Sequence, residues 1–330
     1  MMIYIETNSQ KPAINLAYED YFLHGKSLDE DIFMLWRNEP AIVIGRFQNS
    51  LEEINSSFAE AHQIKIVRRI SGGGAVYHDL GNLCFSFILR DIAPQIADKS
   101  KYIRPLADAL ASMGVRTEMT RRNDLMVDGK KISGNAMAVH KNRLLFHGTL
   151  LFDTDLEILE EALRSSAVKI ESKAVRSIRS KVTNLKEYLP QNMDIDLFKQ
   201  SLKRYFFANM ITSVYEPDRQ DIDAIQELAK KKYETWEWNF GQNPESTVRS
   251  IRNFSEGVLE ITITLNKGLI KSIELKSTFG MPLAPGEIEK RLINLRYTST
   301  DIQNALNGLD IEWQPGSISK KELIQAIIKQ

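Results

Sequence analysis

An α+β fold with a mixed or antiparallel sheet, followed by a small second α+β domain, is predicted from three observations. Strand-like runs dominate the first half, and helices are inserted between groups of them rather than alternating one by one, which argues against a doubly wound parallel sheet. Asp128-Gly129 lies between two apolar runs and is the dipeptide of a type I′ hairpin. The stretch WEWNFGQNP ends in Gly241 and Pro244, and three alternating strands and three helices follow it. A first domain over 1–245 and an accessory domain over 246–330 are therefore expected.

Ile3–Glu6 reads as the first strand, and Pro12–Leu23 as a helix. Pro12 suits a first turn, and Ile14, Ala17, Tyr18 and Tyr21 recur at helical spacing. Ile32–Trp36 and Ala41–Ile44, split by Asn38-Glu39-Pro40, suggest a hairpin. Leu51–Ala61 looks helical, and Ile64–Val67 and Leu83–Leu89 are strands. Ala97–Met113 is a helix stopped by Gly114. Strands are expected at Val115–Glu118, at Leu125–Val127 paired with Lys131–Val139, and at Leu144–Phe152 after a turn at His140–Arg143. Leu156–Leu163, Ile195–Ala208 and Ile222–Lys230 read as helices, with a strand at Thr212–Glu216. Beyond the boundary come strands at Val248–Phe254, Leu259–Leu265 and Ile270–Leu275, the last two joined by a turn at Asn266-Lys267-Gly268. Helices at Glu287–Leu295, Thr300–Leu306 and Lys320–Lys329 close the chain.

Lys plus Arg and Asp plus Glu both number 43, so 43 − 43 leaves no net charge. No global field points to nucleic acid or a membrane surface as a partner. Cys84 is the only cysteine, so no intrachain disulfide can form and a reducing compartment is expected. MMIYIETNSQ has no secretory pattern, and no apolar run reaches the roughly 18 residues of a membrane span. A soluble cytoplasmic protein is the expectation, and no His/Cys cluster is offered for a structural metal.

Arg68 to Phe87 reads RRISGGGAVYHDLGNLCFSF. Glycine has no Cβ, so its backbone can lie directly against a ligand. Successive N–H groups in such a loop can hold an anion. The P-loop pattern fails because no Lys-Ser or Lys-Thr follows, and the dinucleotide fingerprint fails because Tyr77 stands where its third glycine belongs. A small-molecule anion site at a strand–loop–strand junction is the functional reading; a plain tight turn is the structural one.

The string resembles the signature of lipoate–protein ligases. KKISGNAMAVHKNRLLFHGTLL (130–151), RRNDLMV (121–127), PAIVIGRFQN (40–49), SIRSKVTNL (177–185) and WEWNFGQ (236–242) match the same family in order and spacing. The resemblance covers residues 1 to about 245, and implies the biotin/lipoate ligase fold and an ATP-dependent enzyme. Such an enzyme activates lipoate to lipoyl-AMP and passes the lipoyl group to a lysine of an acceptor lipoyl domain. Acceptors in the family are 2-oxoacid dehydrogenase components and the glycine-cleavage H protein. Mg2+ with ATP is implied, its ligands unassigned.

Lys131 follows the Asp128-Gly129 turn and starts a strand, so its ammonium can point back into a cleft or remain a solvated hairpin lysine. A buried lysine can neutralise a carboxylate and a phosphate oxygen together; by resemblance, KISGNA makes Lys131 touch the lipoyl carbonyl and the nucleotide phosphate. Arg69 with Gly74, Ala75, Val76 and Tyr77 matches the nucleotide-contacting positions, and Ser71, Gly72 and Gly73 resemble the lipoate-binding loop. Arg68 is either a ligand or a structural ion-pair partner. Asp124 could orient the incoming amine, hold Mg2+ or position Lys131; its structural reading is a turn aspartate.

His147 and Thr149 stand two apart on a strand, share a face and are expected to line the cleft, with Phe146 where many relatives have a second histidine. His78-Asp79 is not a dyad, because strand neighbours point to opposite faces. Residues 164–186 carry seven Lys or Arg against Glu171 alone, as a solvated surface would. By resemblance the region holds a loop that closes over the adenylate, with Arg176, Arg179 and Lys181 screening phosphate. The second domain rotates between half-reactions in the family, which makes 245–252 the expected hinge.

Three alternatives stand beside this reading. Related acyltransferases work through a cysteine thioester without ATP, but Cys84 lies inside the apolar run LCFSF with nothing nearby to activate it. Biotin ligases share the fold but carry a different glycine loop. A non-catalytic lipoate-binding protein would consume no ATP.

Overall fold

The computed structural model describes residues 1–26, 28–90, 100–122, 124–164, 169–280, 285–307 and 318–328. The chain divides into two compact units. The first comprises Met1–Arg46, Asn55–Arg164 and Ser177–Thr235; the second comprises Phe47–Ile54, Ser165–Arg176 and Trp236–Gln330.

The elements run β1 (Met2–Glu6), α1 (Pro12–Asp20), β2 (Asp31–Trp36), β3 (Ala41–Ile44), α2 (Ser50–Glu53), α3 (Ser56–Ala61), β4 (Lys65–Arg68), β5 (Val76–His78) and β6 (Asn82–Leu89). Next are α4 (Ser100–Ser112), β7 (Glu118–Met119), β8 (Leu125–Val127), β9 (Lys130–Ser133), β10 (Asn135–His140), β11 (Arg143–Leu151), α5 (Leu156–Ala162) and β12 (Lys169–Ser172). The rest are α6 (Ile195–Asn209), β13 (Ile211–Tyr215), α7 (Arg219–Leu228), α8 (Trp236–Asn239), β14 (Ser246–Phe254), β15 (Gly257–Asn266), β16 (Leu269–Ser277), α9 (Pro285–Leu292), α10 (Ser299–Asn307) and α11 (Lys320–Ile328).

The central sheet of the first unit has the order β10-β11-β6-β2-β1-β13. Its β10–β11–β6–β2 part is antiparallel, and β1 joins β2 and β13 in parallel, so the sheet is mixed as expected. Alternation along β2 sends Phe33 and Leu35 to one face and Met34 and Trp36 to the other. Phe33 and Leu35 join Phe85, Phe87 and Phe146 in a core with Ile103 and Leu106 of α4 and Phe198, Leu202 and Phe206 of α6. The opposite face presents Ser86 and His147, which are paired in register, to Glu19 of α1.

Two small sheets flank this one: β4-β3-β5 and β7-β8-β9. Asp128 and Gly129 both have positive φ, 49° and 70°, which is the hairpin geometry their sequence predicts. In the second unit β12-β14-β15-β16 form an antiparallel sheet. One face of it packs on α9, α10 and α11 through Ile263, Ile270, Ile288, Leu306, Leu323 and Ile327.

Several expectations are corrected. β2 and β3 do not form a hairpin: β2 takes β1 and β6 as neighbours, and β3 takes β4 and β5. Nearly every residue of both is buried, so each is an interior strand that needs a partner on both edges. Leu51–Ala61 is two short helices, because Asn49 and Asn55 each cap a new start and Ile54 between them is extended. Lys131–Val139 breaks at Gly134 into β9 and β10, which belong to different sheets. Of the expected strand Val115–Glu118 only Glu118 lies in a strand, the two-residue β7, and the first helix turns π-helical at Tyr21–Gly25. Lys169–Ser172, expected within a loop, is a strand of the second unit. Ala97–Lys99 and residues 165–168 lie outside the described residues.

Phe198 is fully buried and stacks on Phe152 at 5.0 Å. Phe198→Ala is expected to lower unfolding free energy by roughly 3–5 kcal/mol, read as a reduced urea midpoint at unchanged m-value; an unchanged midpoint would contradict the assigned core.

Candidate active site

The glycine loop is held from behind by Arg69. Its guanidinium donates to Ser71 Oγ (3.0 Å), Val43 O (2.9 Å), Gly72 O (2.7 Å) and Gly74 O (2.7 Å). Burial pushes its pKa down to about 10, while the charge of Glu19 opposes the shift. Buried donors must be satisfied, so the loop carbonyls turn inward. Arg69, which by resemblance matches a nucleotide-contacting position, shapes the loop with these four bonds. Arg68 is fully buried and donates to Gly45 O (2.9 Å) and Arg46 O (3.2 Å), tying down the neighbouring turn.

Gly73 has φ of +89°, a left-handed conformation that favours glycine, and a Cβ there would stand 3.8 Å from Ala136 Cβ. The SGGG and KISGNA motifs therefore meet at this point. Gly45 approaches even closer, because its Cβ would fall 2.1 Å from Gly73 O. Ala75 N donates to Ser177 Oγ at 2.9 Å, which brings SIRSKV against the loop. The strand β5 pairs with β3 and stands at the edge of its sheet. One side of the Val76–Tyr77 backbone therefore has no strand partner among the described residues, so it can accept a planar ring edge.

Lys131 Nζ pairs with Asp124 Oδ1 at 3.0 Å, and both side chains are partly exposed. The Asp124 carboxylate thus sits directly against the Lys131 ammonium. The lysine stem lies over Gly134, where a Cβ would stand 2.9 Å from both Cε and Nζ, so the glycine of KISG makes room for the lysine. Gly134 is anchored by Thr149, whose N donates to Gly134 O (3.0 Å) and whose Oγ1 accepts from Gly134 N (3.3 Å). Gly148 lets that carbonyl approach, as its Cβ would lie 2.5 Å from Gly134 O. The backbone of Lys131 bonds residues 181–183: its N donates to Lys181 O (2.8 Å) and its O accepts from Thr183 N (3.1 Å). Arg176, by contrast, pairs with Glu52 at 2.7 Å within the second unit.

His147 Nε2 lies 2.6 Å from Ser71 Oγ, and its Nδ1 lies 2.8 and 2.9 Å from the two Glu19 oxygens. Ser86 Oγ donates to Glu19 Oε1 at 2.5 Å and accepts from Trp36 Nε1 at 2.8 Å. Glu19, Ser86 and Trp36 were not legible as site residues. A lone glutamate in a helix reads as solvent-facing, and no spacing signal marks it.

His78 is buried, and its Nδ1 lies 3.0 Å from Asn38 Nδ2. Burial, then the charges of Arg69 and His147, hold its pKa down at about 3. Asp79 instead accepts from Gly81 N and Asp155 N, both at 2.9 Å, which confirms that the two are no dyad. Cys84 is fully buried, and burial, followed by the charge of Glu19, pushes its thiol well up. A thiolate nucleophile is thereby disfavoured. Among the described residues no group of three or more His, Cys, Asp or Glu side chains is arranged to hold a metal, and no helix is long and apolar enough to cross a membrane.

A carboxylate-paired lysine, a backbone-rich glycine loop and an open strand edge are the features that the sequence motifs contribute to this unit. The model of the lipoyl protein ligase A/B catalytic domain matches residues 11–207, and that of the bacterial lipoate protein ligase C-terminus matches 243–327. Lipoate–protein ligase 1 of Staphylococcus aureus is 37% identical over 318 residues, covering 96% of this chain and 97% of that protein. The structure of a lipoate-protein ligase A bound with ATP is 27% identical, covers 72% of this chain and 97% of its own, and superposes with TM-score 0.61. A structural analysis of a bipartite ligase and its E2 lipoyl domain from Thermoplasma acidophilum gives 26% identity, 72% and 95% coverage, and TM-score 0.60. The chain belongs to the lipoate–protein ligase family.

The unfolded chain takes up the His78 proton near pH 6.5 and the folded chain only near 3. The stability this neutral histidine contributes is thus complete above pH 6.5 and is lost as pH falls towards 3. Its share of the slope is at most about 1.4 kcal/mol per pH unit. His78→Gln is expected to flatten urea stability between pH 6.5 and 4; a profile parallel to wild type would refute the assignment.

Proposed function

We propose that this chain joins lipoate to a lysine of an acceptor lipoyl domain in two steps. In the first, a lipoate carboxylate oxygen attacks the α-phosphorus of ATP, the bond to the β-phosphate oxygen breaks, and pyrophosphate leaves. In the second, the acceptor's ε-amine attacks the acyl carbon of lipoyl-AMP, the bond to the phosphate oxygen breaks, AMP leaves, and the amine gives up a proton. The observation that carries this reading is the Lys131 ammonium, held by Asp124 over Gly134. A fixed cation there offsets the charge of carboxylate and α-phosphate when they meet, and strengthens as charge develops.

Ser71, Gly72 and Gly73 form the wall against which the lipoyl chain packs, and Gly74, Ala75, Val76 and Tyr77 read the adenine edge along β5. His147 and Thr149 support these two motifs, at Ser71 and Gly134 respectively. Mg2+ enters as part of the MgATP substrate, carried mainly by phosphate oxygens, as is usual for an ion that dehydrates reluctantly. Arg179 and Lys181 screen the triphosphate, and the 177–183 segment, bonded to Lys131 and Ala75, helps exclude water from the mixed anhydride. The acceptor class is carried over from the archaeal ligase analysed with its E2 lipoyl domain. Residues 1–245 are assigned the catalytic role and 246–330 the accessory role.

The test is pyrophosphate release with ATP, Mg2+ and lipoate, followed by the intact mass of an added apo lipoyl domain. One lipoyl group added per domain, with equimolar pyrophosphate, is expected. Modification only from supplied lipoyl-AMP would reduce the chain to a transferase. Lys131→Ala should slow pyrophosphate release by about 10²-fold or more at an unchanged melting temperature; near-normal release would remove Lys131 from the mechanism. Cys84→Ser should keep most of the activity, whereas complete loss in a folded variant would restore the thioester route.

A further inference from the structure

Glu19, His147, Ser71 and Arg69 form one chain of hydrogen bonds. A carboxylate only accepts, so His147 Nδ1, within 2.9 Å of both Glu19 oxygens, carries the ring proton. Its Nε2 lies 2.6 Å from Ser71 Oγ, so the ring bridges the helix carboxylate and the glycine loop. Ser71 Oγ also accepts from Arg69 Nε at 3.0 Å. Behind Glu19, Ser86 donates to Oε1 and itself accepts from Trp36 Nε1. Glu19, Ser86, Ser71, His147 and Arg69 are all buried, so no water replaces a broken link cheaply.

We propose that Glu19 is a positioning residue for lipoate: through His147 it orients the Ser71 hydroxyl and so holds the Ser71–Gly73 wall of the glycine loop in its binding shape. This rests on the proposed function of that loop. It goes further by naming a helix residue that acts through two intermediaries, and by predicting which substrate feels it. The nucleotide-side run has two supports that do not pass through this chain, Ser177 on Ala75 N and the pairing of β5 with β3. A fault in the chain should therefore reach lipoate and largely spare ATP.

Glu19→Gln tests this. The amide removes the charge and puts an NH2 donor where one carboxylate oxygen faced His147 Nδ1, so the ring loses that acceptor. We expect the lipoate dissociation constant to rise about 10-fold, the size of one lost buried hydrogen bond, with ATP binding changed less than about 2-fold. In a Ser71→Ala background the same substitution should add little, because the chain already ends before the loop. Equal effects on both ligands, or a full additional effect in the Ser71→Ala background, would overturn the proposal. Should Glu19→Gln fail to fold, nitrogen NMR of His147 in the wild-type protein decides instead. A proton on Nδ1 supports the relay, and a bare Nδ1 overturns it. This readout needs no substrate, so wild-type protein that bound neither ligand would refute the function reading while leaving the relay separately decided.

Discussion

A buried guanidinium sets the terms for the rest of the site. Arg69 carries a charge into a place where water cannot serve it, and its hydrogens must find acceptors within the fold. They find Val43 O on β3, two carbonyls of the glycine loop and the Ser71 hydroxyl. Two consequences follow. The carbonyls of Gly72 and Gly74 are committed inward, so the loop cannot wander. Ser71 accepts from Arg69 and also lies 2.6 Å from His147 Nε2, whose other ring nitrogen is backed by Glu19. The sheet that holds His147 and the helix that holds Glu19 are thereby drawn into defining a loop distant from both in sequence.

The second constraint is room. Backbone lies on backbone wherever the motifs converge, and glycine is what permits it. Gly45 passes Gly73, Gly148 admits the Gly134 carbonyl, and Gly134 in turn yields space to the Lys131 stem. Close approach brings the lysine, its Asp124 partner and the 181–183 segment together without requiring a large cavity. The glycines of these motifs are thus less a device for flexibility than a way to stack chain segments at distances a methyl group would forbid.

The mixed sheet, the Asp128-Gly129 hairpin, the strand–loop–strand setting of the glycines and the burial of Cys84 were legible because each depends on local chemistry. Positive φ at Asp128 and Gly129 is written in the dipeptide, and an apolar run around a lone cysteine implies a core strand. The pairing of β2 and β3 was not legible, since a turn signal says only that the chain bends and not which neighbours a fully buried strand will choose. Nor was the break at Gly134, where one apolar run serves two sheets.

The sequence by itself determined the fold class, the motifs and the residue types the chemistry needs, because spacing, turn dipeptides and glycine placement act over a few residues. Only the tertiary structure decided how they are used. It aimed Arg69 at the loop backbone, paired Asp124 with Lys131, and set Glu19 behind His147. Each of those choices is made by burial, which forces a polar group to take whatever partner the packed fold brings within about 3 Å.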